Sequence, residues 1–424
     1  MGSARAGPWR WSGPDEDVAA KPTSAGEGSE MSGALAGIRV LDLSRLVAGG
    51  AFGMVLADFG ADVVKVEQPG RGDPLRTWRA DGESYWWRVY GRNKRSVTLN
   101  IDSAGGRDLL RRLVPRFDIL VESFVPGKME AWGIGPETLH DWHPGLVIVR
   151  ISAWGQDGPK RTQPGFGTLV EAASGLAAMT GDAGGPPVLP PFPLADMYAA
   201  LYAANAAMMA LYHRDMHGAP GQTIDISLFE AVFSTLGPLA AEHAALGRVR
   251  TRDDTSVRNT APRGAYETSD GGHVAMSAST PDTAGRFLTA YGLGDLLLDP
   301  RFATNEARVR NVDALDELVA VAIARHTLAE NLEIAGAHHL TAVAVQTIAD
   351  IVEDPHWQAR PLTIDVSDAQ GAVRMHHVVP RLSGTPGAIR WPGPRLGAHN
   401  DGIYGQELGI PAEEMERLQR EGVI

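Results

Sequence analysis

The 424-residue sequence contains no cysteine. Disulfides, thiolate zinc sites, iron–sulfur clusters and a cysteine nucleophile are therefore excluded together. The absence agrees with a reducing, cytoplasmic setting. No run of about 18 or more apolar residues occurs, so no membrane-spanning helix is expected. The longest small-residue run, Leu201 to Leu211, contains Asn205 and is followed by His213, Arg214 and Asp215. Basic residues are outnumbered, 39 Lys and Arg against 51 Asp and Glu, which leaves a formal net charge of −12. A field of that sign repels phosphate backbones and argues against nucleic acid, so an anionic ligand needs local groups to hold it. Metal-ligand spacing is missing too. The pairs His338-His339 and His376-His377 are adjacent and cannot share a helix or strand face, and no H-E-x-x-H occurs.

What is present is ordinary globular composition, with 44% apolar and 21% charged residues. Residues 1–32 read as a disordered Gly/Ser/Pro-rich tail carrying Asp15, Glu16 and Asp17, and Met31 is a plausible start. Ile38 to Leu43 (IRVLDL) and Asp62 to Glu67 (DVVKVE) read as strands, separated by a glycine loop at Ala48 to Gly50 and a helix from Phe52 to Phe59. This strand–loop–helix–strand unit predicts a parallel α/β sheet. Ser96 to Leu99, Ile119 to Glu122, Leu146 to Ile151 and Gln222 to Ile226 continue the strands. Gly105 to Phe117, Gly165 to Thr180 and Leu194 to Arg214 read as helices. Beyond about residue 225 helices alternate with short strands at Gly272 to Ser277 and Val343 to Ile348, and a last helix spans roughly Pro411 to Glu421. The division expected is a first domain over 33–222, a smaller domain over 225–340, and a return to the first over 350–424.

The first unit invites a dinucleotide reading, with Glu67 where a ribose-binding acid would stand. Gly49, Gly50 and Gly53 give G-G-x-x-G instead of G-x-G-x-x-G, however, so packing glycines are the better reading. The basic run Arg92, Lys94 and Arg95 with Arg88 is either an anion site or a solvated loop. Asp196 follows the Pro/Gly-rich segment Gly181 to Pro193 and opens a helix lined by Ala199, Ala200, Ala203 and Ala204. A carboxylate there meets unpaired N–H groups and the positive helix end, which keeps it ionised. It can be a plain helix cap or a reactive group beside space for a ligand.

From about Gly37 to the C-terminus the sequence resembles the family III CoA-transferases. The likeness lies in ordered blocks: GIRVLDLSRLVAGGAFGMVLADFGADVVKVEQPGRGDPLR, NKRSVTLN, VESFVPGKMEAWGIG, PGFGTLVEAASGLAAMTG, LADMYAALYAANAAMMALYHRD, GQTIDISLFEA and LGAHNDGIYGQELGIPAEEMERLQREGVI. The resemblance implies an α/β, Rossmann-like large domain, a smaller α+β domain, and a homodimer whose chains interlock as rings. It implies acyl-CoA and a carboxylic acid as substrates, no metal and no permanently bound cofactor. Leu194-Ala195-Asp196 matches the segment bearing the family's nucleophilic aspartate, which passes through an acyl–aspartyl anhydride and an aspartyl-CoA thioester. By the same resemblance CoA would contact Leu46, Val47 and Ala48; Leu99, Asn100, Ile101 and Asp102; Ser123, Phe124 and Val125; and Gly165, Phe166 and Gly167. Arg76 and Arg95 would take the nucleotide phosphates.

Three places depart from the family's better-known members. Phe166-Gly167 stands where racemases carry His-Asp, and a phenyl ring cannot move a proton, which disfavours racemisation. Val47 replaces the glutamine of formyl-CoA transferases, and 259–272 lacks their glycine run, so a larger or less polar acyl group is expected. A racemase and a non-catalytic CoA-binding protein are the alternative readings.

Overall fold

The computed structural model describes residues 33–182, 184–252 and 260–424; the tail and Met31 lie outside them. Six strands, β1 (Arg39–Asp42), β2 (Asp62–Glu67), β3 (Lys94–Thr98), β4 (Ile119–Glu122), β5 (Val147–Ser152) and β6 (Thr223–Ser227), form one sheet. Their order is β3-β2-β1-β4-β5-β6 and every pairing is parallel. The order reverses between β1 and β4, which opens a crevice at the carboxyl ends of the strands.

Because successive side chains alternate across a strand, the sheet feeds two cores. Val40, Val63, Ile119, Val121, Val147 and Val149 face one side, against α1 (Leu46–Asp58) and α8 (Leu194–His217). Leu41, Val64, Leu120 and Ile148 face the other, against α3 (Ala104–Leu113) and α5 (Pro136–Trp142). Between these lie α2 (Tyr85–Tyr90) and α4 (Lys128–Ala131), then α6 (Gly167–Ala173) and α7 (Leu176–Met179); α9 (Leu228–Ser234) follows β6. The buried alanines Ala199, Ala200, Ala203 and Ala207 let α8 lie close on α1.

The glycine loop expected at Ala48 to Gly50 is instead the first turns of α1. Its glycines serve packing: a β-carbon at Gly49 would strike the Ser44 side chain, and one at Gly53 would come within 2.9 Å of the Lys94 ammonium. The helix expected over 165–180 is broken at Gly175, whose φ of +98° ends α6 and starts α7. The strand expected over 343–348 is only Ala342–Ala344, because Thr347 caps a helix beginning at Ile348. By length and composition α8 could cross a membrane, but its alanine face is buried in the core and Arg214 near its end bonds Asp118.

The chain beyond β6 builds an antiparallel sheet from β7 (Arg263–Glu267), β8 (His273–Ser277) and β9 (Ala342–Ala344) around a core of its own. A hairpin, β10 (Thr363–Asp368) with β11 (Gly371–His376), was not foreseen, although its alternation is visible in TIDVSD and GAVRMH. The last segment then closes the edge of the first sheet. The His399 amide donates to Ser96 O at 2.9 Å, the Thr98 amide donates to Asn400 Oδ1 at 2.9 Å, and the Tyr404 hydroxyl donates to Thr98 O at 2.8 Å. A strand edge that would otherwise invite pairing is thereby covered. Ile403, Tyr404, Ile410, Met415, Leu418 and Ile424 join the second core.

Candidate active site

At the crevice lies a cleft of about 720 Å³, walled by Leu43, Val66, Leu99, Ile101, Phe124 and Trp132, with Arg45, Arg71 and Lys128 as its cations. The Lys128 ammonium stands 4.5 Å over the Trp132 ring and 3.7 Å from Asp102.

Beneath the cleft four charges are buried together. Asp42 receives Lys94 at 2.9 Å and Lys65 at 3.2 Å, and Lys65 also reaches Asp73 at 3.2 Å. Burial alone would raise the Asp42 carboxyl, but the two ammoniums outweigh it and hold its pKa below the usual value. Asp73 in turn accepts the Leu46 amide at 3.3 Å. Leu46 adopts φ +64°, rare for a non-glycine residue, and no side chain of its own caps α1. The first turn of α1 is thus tied to the buried ion pairs through Asp73.

Asp196 meets that turn. It sits in the first turn of α8, largely buried, and its carboxylate accepts the Ala48 amide. Its Oδ2 lies directly over Gly167, at the start of α6. One helical turn further on, Glu171 is 2% exposed and accepts the Ala195 amide at 3.0 Å. Burial raises the Asp196 pKa from 3.8 to about 6; the Glu171 charge adds to the rise and the Ala48 amide opposes it. The helix end therefore does not dominate, as the sequence alone suggested: a half-protonated carboxyl near pH 6 replaces an ordinary ionised one. Tyr90 of α2 completes the surround, its hydroxyl 3.6 Å from Met197 Sδ and its pKa raised by burial and by Asp196.

The residues named from the sequence fall into separate groups. Leu99, Ile101, Asp102 and Phe124 line the cleft. Ser123 braces it, its Oγ accepting the Arg45 amide at 2.9 Å, and Val125 is exposed beyond it. Asn100 bonds Val423 O through its amide at 2.8 Å. Ala48 and Gly167 touch Asp196. Leu46 and Val47 pack with Leu75, Trp87 and Met197, Gly165 packs on Trp154, and Phe166 is exposed at the start of α6. The chain links cleft and acid: Arg45 lines the cleft, and three residues on Ala48 bonds Asp196.

The basic run is not a solvated loop, since each of its side chains is paired with a carboxylate. Arg92 is buried on Asp58, Lys94 on Asp42, and Arg88 bonds Asp368. Arg95 spans Asp62 and Glu407, and Arg76 grips Glu67 through both its Nε and Nη2 while lying 3.7 Å over the Trp87 ring. Neither lines the cleft. Glu67 is thereby committed to Arg76 and Ser96 rather than to a ribose. Glu171, Tyr90, Arg71 and Lys128 were missed. The available signal was Glu171 standing one helical turn after Gly167 in a run of small and apolar residues. Among the described residues no three His, Asp or Glu side chains are grouped to hold a metal ion.

A cleft at the switch point of a doubly wound sheet, joined through one helix turn to a buried carboxyl, defines an α/β enzyme. The chain belongs to CoA-transferase family III, whose sequence pattern matches residues 35–400. It is 39% identical over 391 residues to the succinyl-CoA–D-citramalate CoA-transferase of Chloroflexus aurantiacus, covering 91% of this chain and 97% of that one. It is 36% identical over 405 residues to the beta subunit of that organism's succinyl-CoA–L-malate CoA-transferase, covering 94% and 100%. A crystal structure of a CAIB/BAIF family protein from Brucella suis matches with a TM-score of 0.77 at 31% identity, covering 88% of this chain and 99% of that one.

Proposed function

We propose that this CoA-transferase works through Asp196 as a covalent nucleophile. The acid attacks the thioester carbonyl of an acyl-CoA; the C–S bond breaks, an acyl–aspartyl anhydride forms and CoA leaves as a thiolate. The thiolate then attacks the aspartyl carbonyl of the anhydride, releasing the first acid as carboxylate and leaving an aspartyl-CoA thioester. An incoming carboxylate attacks the aspartyl carbonyl of that thioester, breaking its C–S bond to give a second anhydride and the CoA thiolate. The thiolate attacks the new acyl carbonyl, and the new acyl-CoA leaves with Asp196 freed as carboxylate. No step needs an outside energy source, since each exchanges one activated acyl group for another.

The observation that carries this reading is the setting of Asp196. It is buried, has no cationic partner among the described residues and is raised to about 6, so it is ionised at neutral pH yet more basic than a surface aspartate. The Ala48 amide beside it is a donor for the oxyanion of each tetrahedral stage. Phe166, exposed and aprotic, supports transfer over racemisation. The cleft beside Arg45, Arg71 and Lys128 is the place for CoA. The names of the similar enzymes support succinyl-CoA as donor and a dicarboxylic acid as acceptor. We read the chain as half of an interlocked homodimer: Leu201, Tyr202, Met209, Tyr212 and Met216 stand exposed along α8, an apolar strip suited to a second copy. A monomer by light scattering at micromolar concentration would defeat that part.

The test of the nucleophile is Asp196→Asn. An amide cannot form the anhydride, so transfer should fall by at least ~10³-fold, and hydroxylamine with acyl-CoA should modify the wild-type peptide bearing Asp196. Near-normal turnover by the variant, or an adduct elsewhere, refutes the assignment.

A further inference from the structure

Glu171 has no part in the steps above, yet it is among the most deeply buried acids in the molecule. α6 presents Gly167 and Glu171 one turn apart on the same face, and the first turn of α8 lies against that face. Gly167 makes room for the Asp196 carboxylate, while Glu171 accepts the amide of Ala195, the residue just before it. Pro193, at the start of α8, offers no side-chain cap, so a carboxylate from another helix does the capping. An ordinary cap would be a neutral hydroxyl or a surface acid. Here a second carboxyl group is buried next to the first, and among the described residues no cation is bonded to either.

We infer that Glu171 is a positioning residue for the transfer reaction: it fixes the turn that carries Asp196 and sets beside it a charge whose repulsion is relieved when Asp196 is acylated. This rests on Asp196 being the nucleophile. Formation of the anhydride joins Asp196 Oδ to the acyl carbon, breaks the C–S bond and carries one negative charge away on the CoA thiolate. The buried pair falls from two charges to one. The Glu171 charge therefore disfavours the free ionised enzyme more than the acyl-enzyme, and the same repulsion makes Asp196 more basic. The other groups facing Asp196 are the Ala48 amide from α1 and the Tyr90 hydroxyl from α2. Asp58 ends α1 at its far end and is paired with Arg92, α7 carries no titratable side chain, and Glu230 of α9 is exposed. Glu171 is thus the charged side chain placed to act on Asp196.

The experiment compares wild type, Glu171→Gln and Glu171→Asp by single-turnover acylation with succinyl-CoA from pH 5 to 9, quenched and read as the mass adduct on the Asp196 peptide. Gln keeps an oxygen for the Ala195 amide but drops the charge; Asp keeps the charge. The expected result is an acid limb lowered by ~1 pH unit in the Gln variant and a plateau rate reduced about tenfold, with the limb of the Asp variant near that of wild type. A purely structural role would leave the Gln limb where it was, and that result overturns the inference while the adduct on Asp196 stands. An equal shift in both variants overturns it as well. A wild type without an Asp196 adduct defeats the nucleophile reading and this inference with it.

Discussion

The Asp196 carboxylate occupies the space that a side chain at Gly167 would need. The two residues are 29 apart in sequence, one opening α6 and the other in the first turn of α8, and the absence of a β-carbon in one sets the position of the acid in the other. Gly167→Ala is expected to reduce transfer about 100-fold, since an ångström of misplacement at a reacting group has that effect. The melting point should fall, because a β-carbon 2.4 Å from the buried Asp196 Oδ2 forces the carboxylate or the helix to shift. Steady-state rates and a thermal melt on the same sample check both halves; a fully active variant would show that Asp196 has room to spare.

Asp196→Asn should be inactive and yet more stable than wild type at pH 8. With the folded pKa at about 6 against an ordinary 3.8, the folded chain binds a proton between these values that the unfolded chain has released. Stability from this group therefore falls as pH rises through that window, and above it the ionised acid costs up to about 3 kcal/mol. Asparagine removes that cost. Melting curves should show the variant ahead by a few degrees at pH 8 and level with wild type near pH 4, whereas a variant melting lower at pH 8 contradicts the account.

With Asp196 as the proposed nucleophile, the catalytic rate should fall about tenfold per unit below pH 6, as its carboxylate is protonated. A kcat profile flat down to pH 5 would mean that a different group limits turnover.

The cations of the cleft are Arg45, Arg71 and Lys128, not Arg95. Replacing Arg71 and Lys128 together with alanine should raise KM for acyl-CoA roughly tenfold at low salt, with kcat unchanged, as expected for two exposed charge contacts worth up to ~1 kcal/mol each. Arg95→Ala should leave KM alone and lower the melting point, because it breaks the links to Asp62 and Glu407. The opposite pattern would move the nucleotide to the Asp62 side of the sheet.

Asp42→Asn should be the most destabilising of these changes. It takes the carboxylate from the buried Lys94 and leaves Lys65 paired with Asp73, and breaking a buried pair in this way costs ~3–5 kcal/mol. A melting point within a degree or two of wild type would show that the cluster relaxes or takes up water.

Much of the fold was written in local pattern. IRVLDL, DVVKVE and LVIVRI are apolar runs whose length and branching suit buried strands, and the small-residue helix after Pro193 announced both α8 and the place of Asp196. The packing role expected of Gly49, Gly50 and Gly53 holds, but Gly49 and Gly50 misled as to secondary structure, because a glycine is read locally as a turn. Gly49 and Gly53 lie inside a helix for the sake of Ser44 and Lys94, which come from other parts of the chain. The basic run misled for the same reason: whether Arg92, Lys94 and Arg95 face solvent, a ligand or an internal carboxylate depends on Asp58, Asp42 and Asp62, brought to them only by the sheet.

The sequence by itself determined the alternation of strands and helices, the absence of thiol chemistry and the resemblance that singles out Asp196, since these depend on residue type, spacing and order along the chain. Tertiary structure alone decided what kind of acid Asp196 is. Its basicity is set by burial, by Glu171 from α6 and by the Ala48 amide from α1, and the exclusion of water and the distance between charges exist only once those helices have packed.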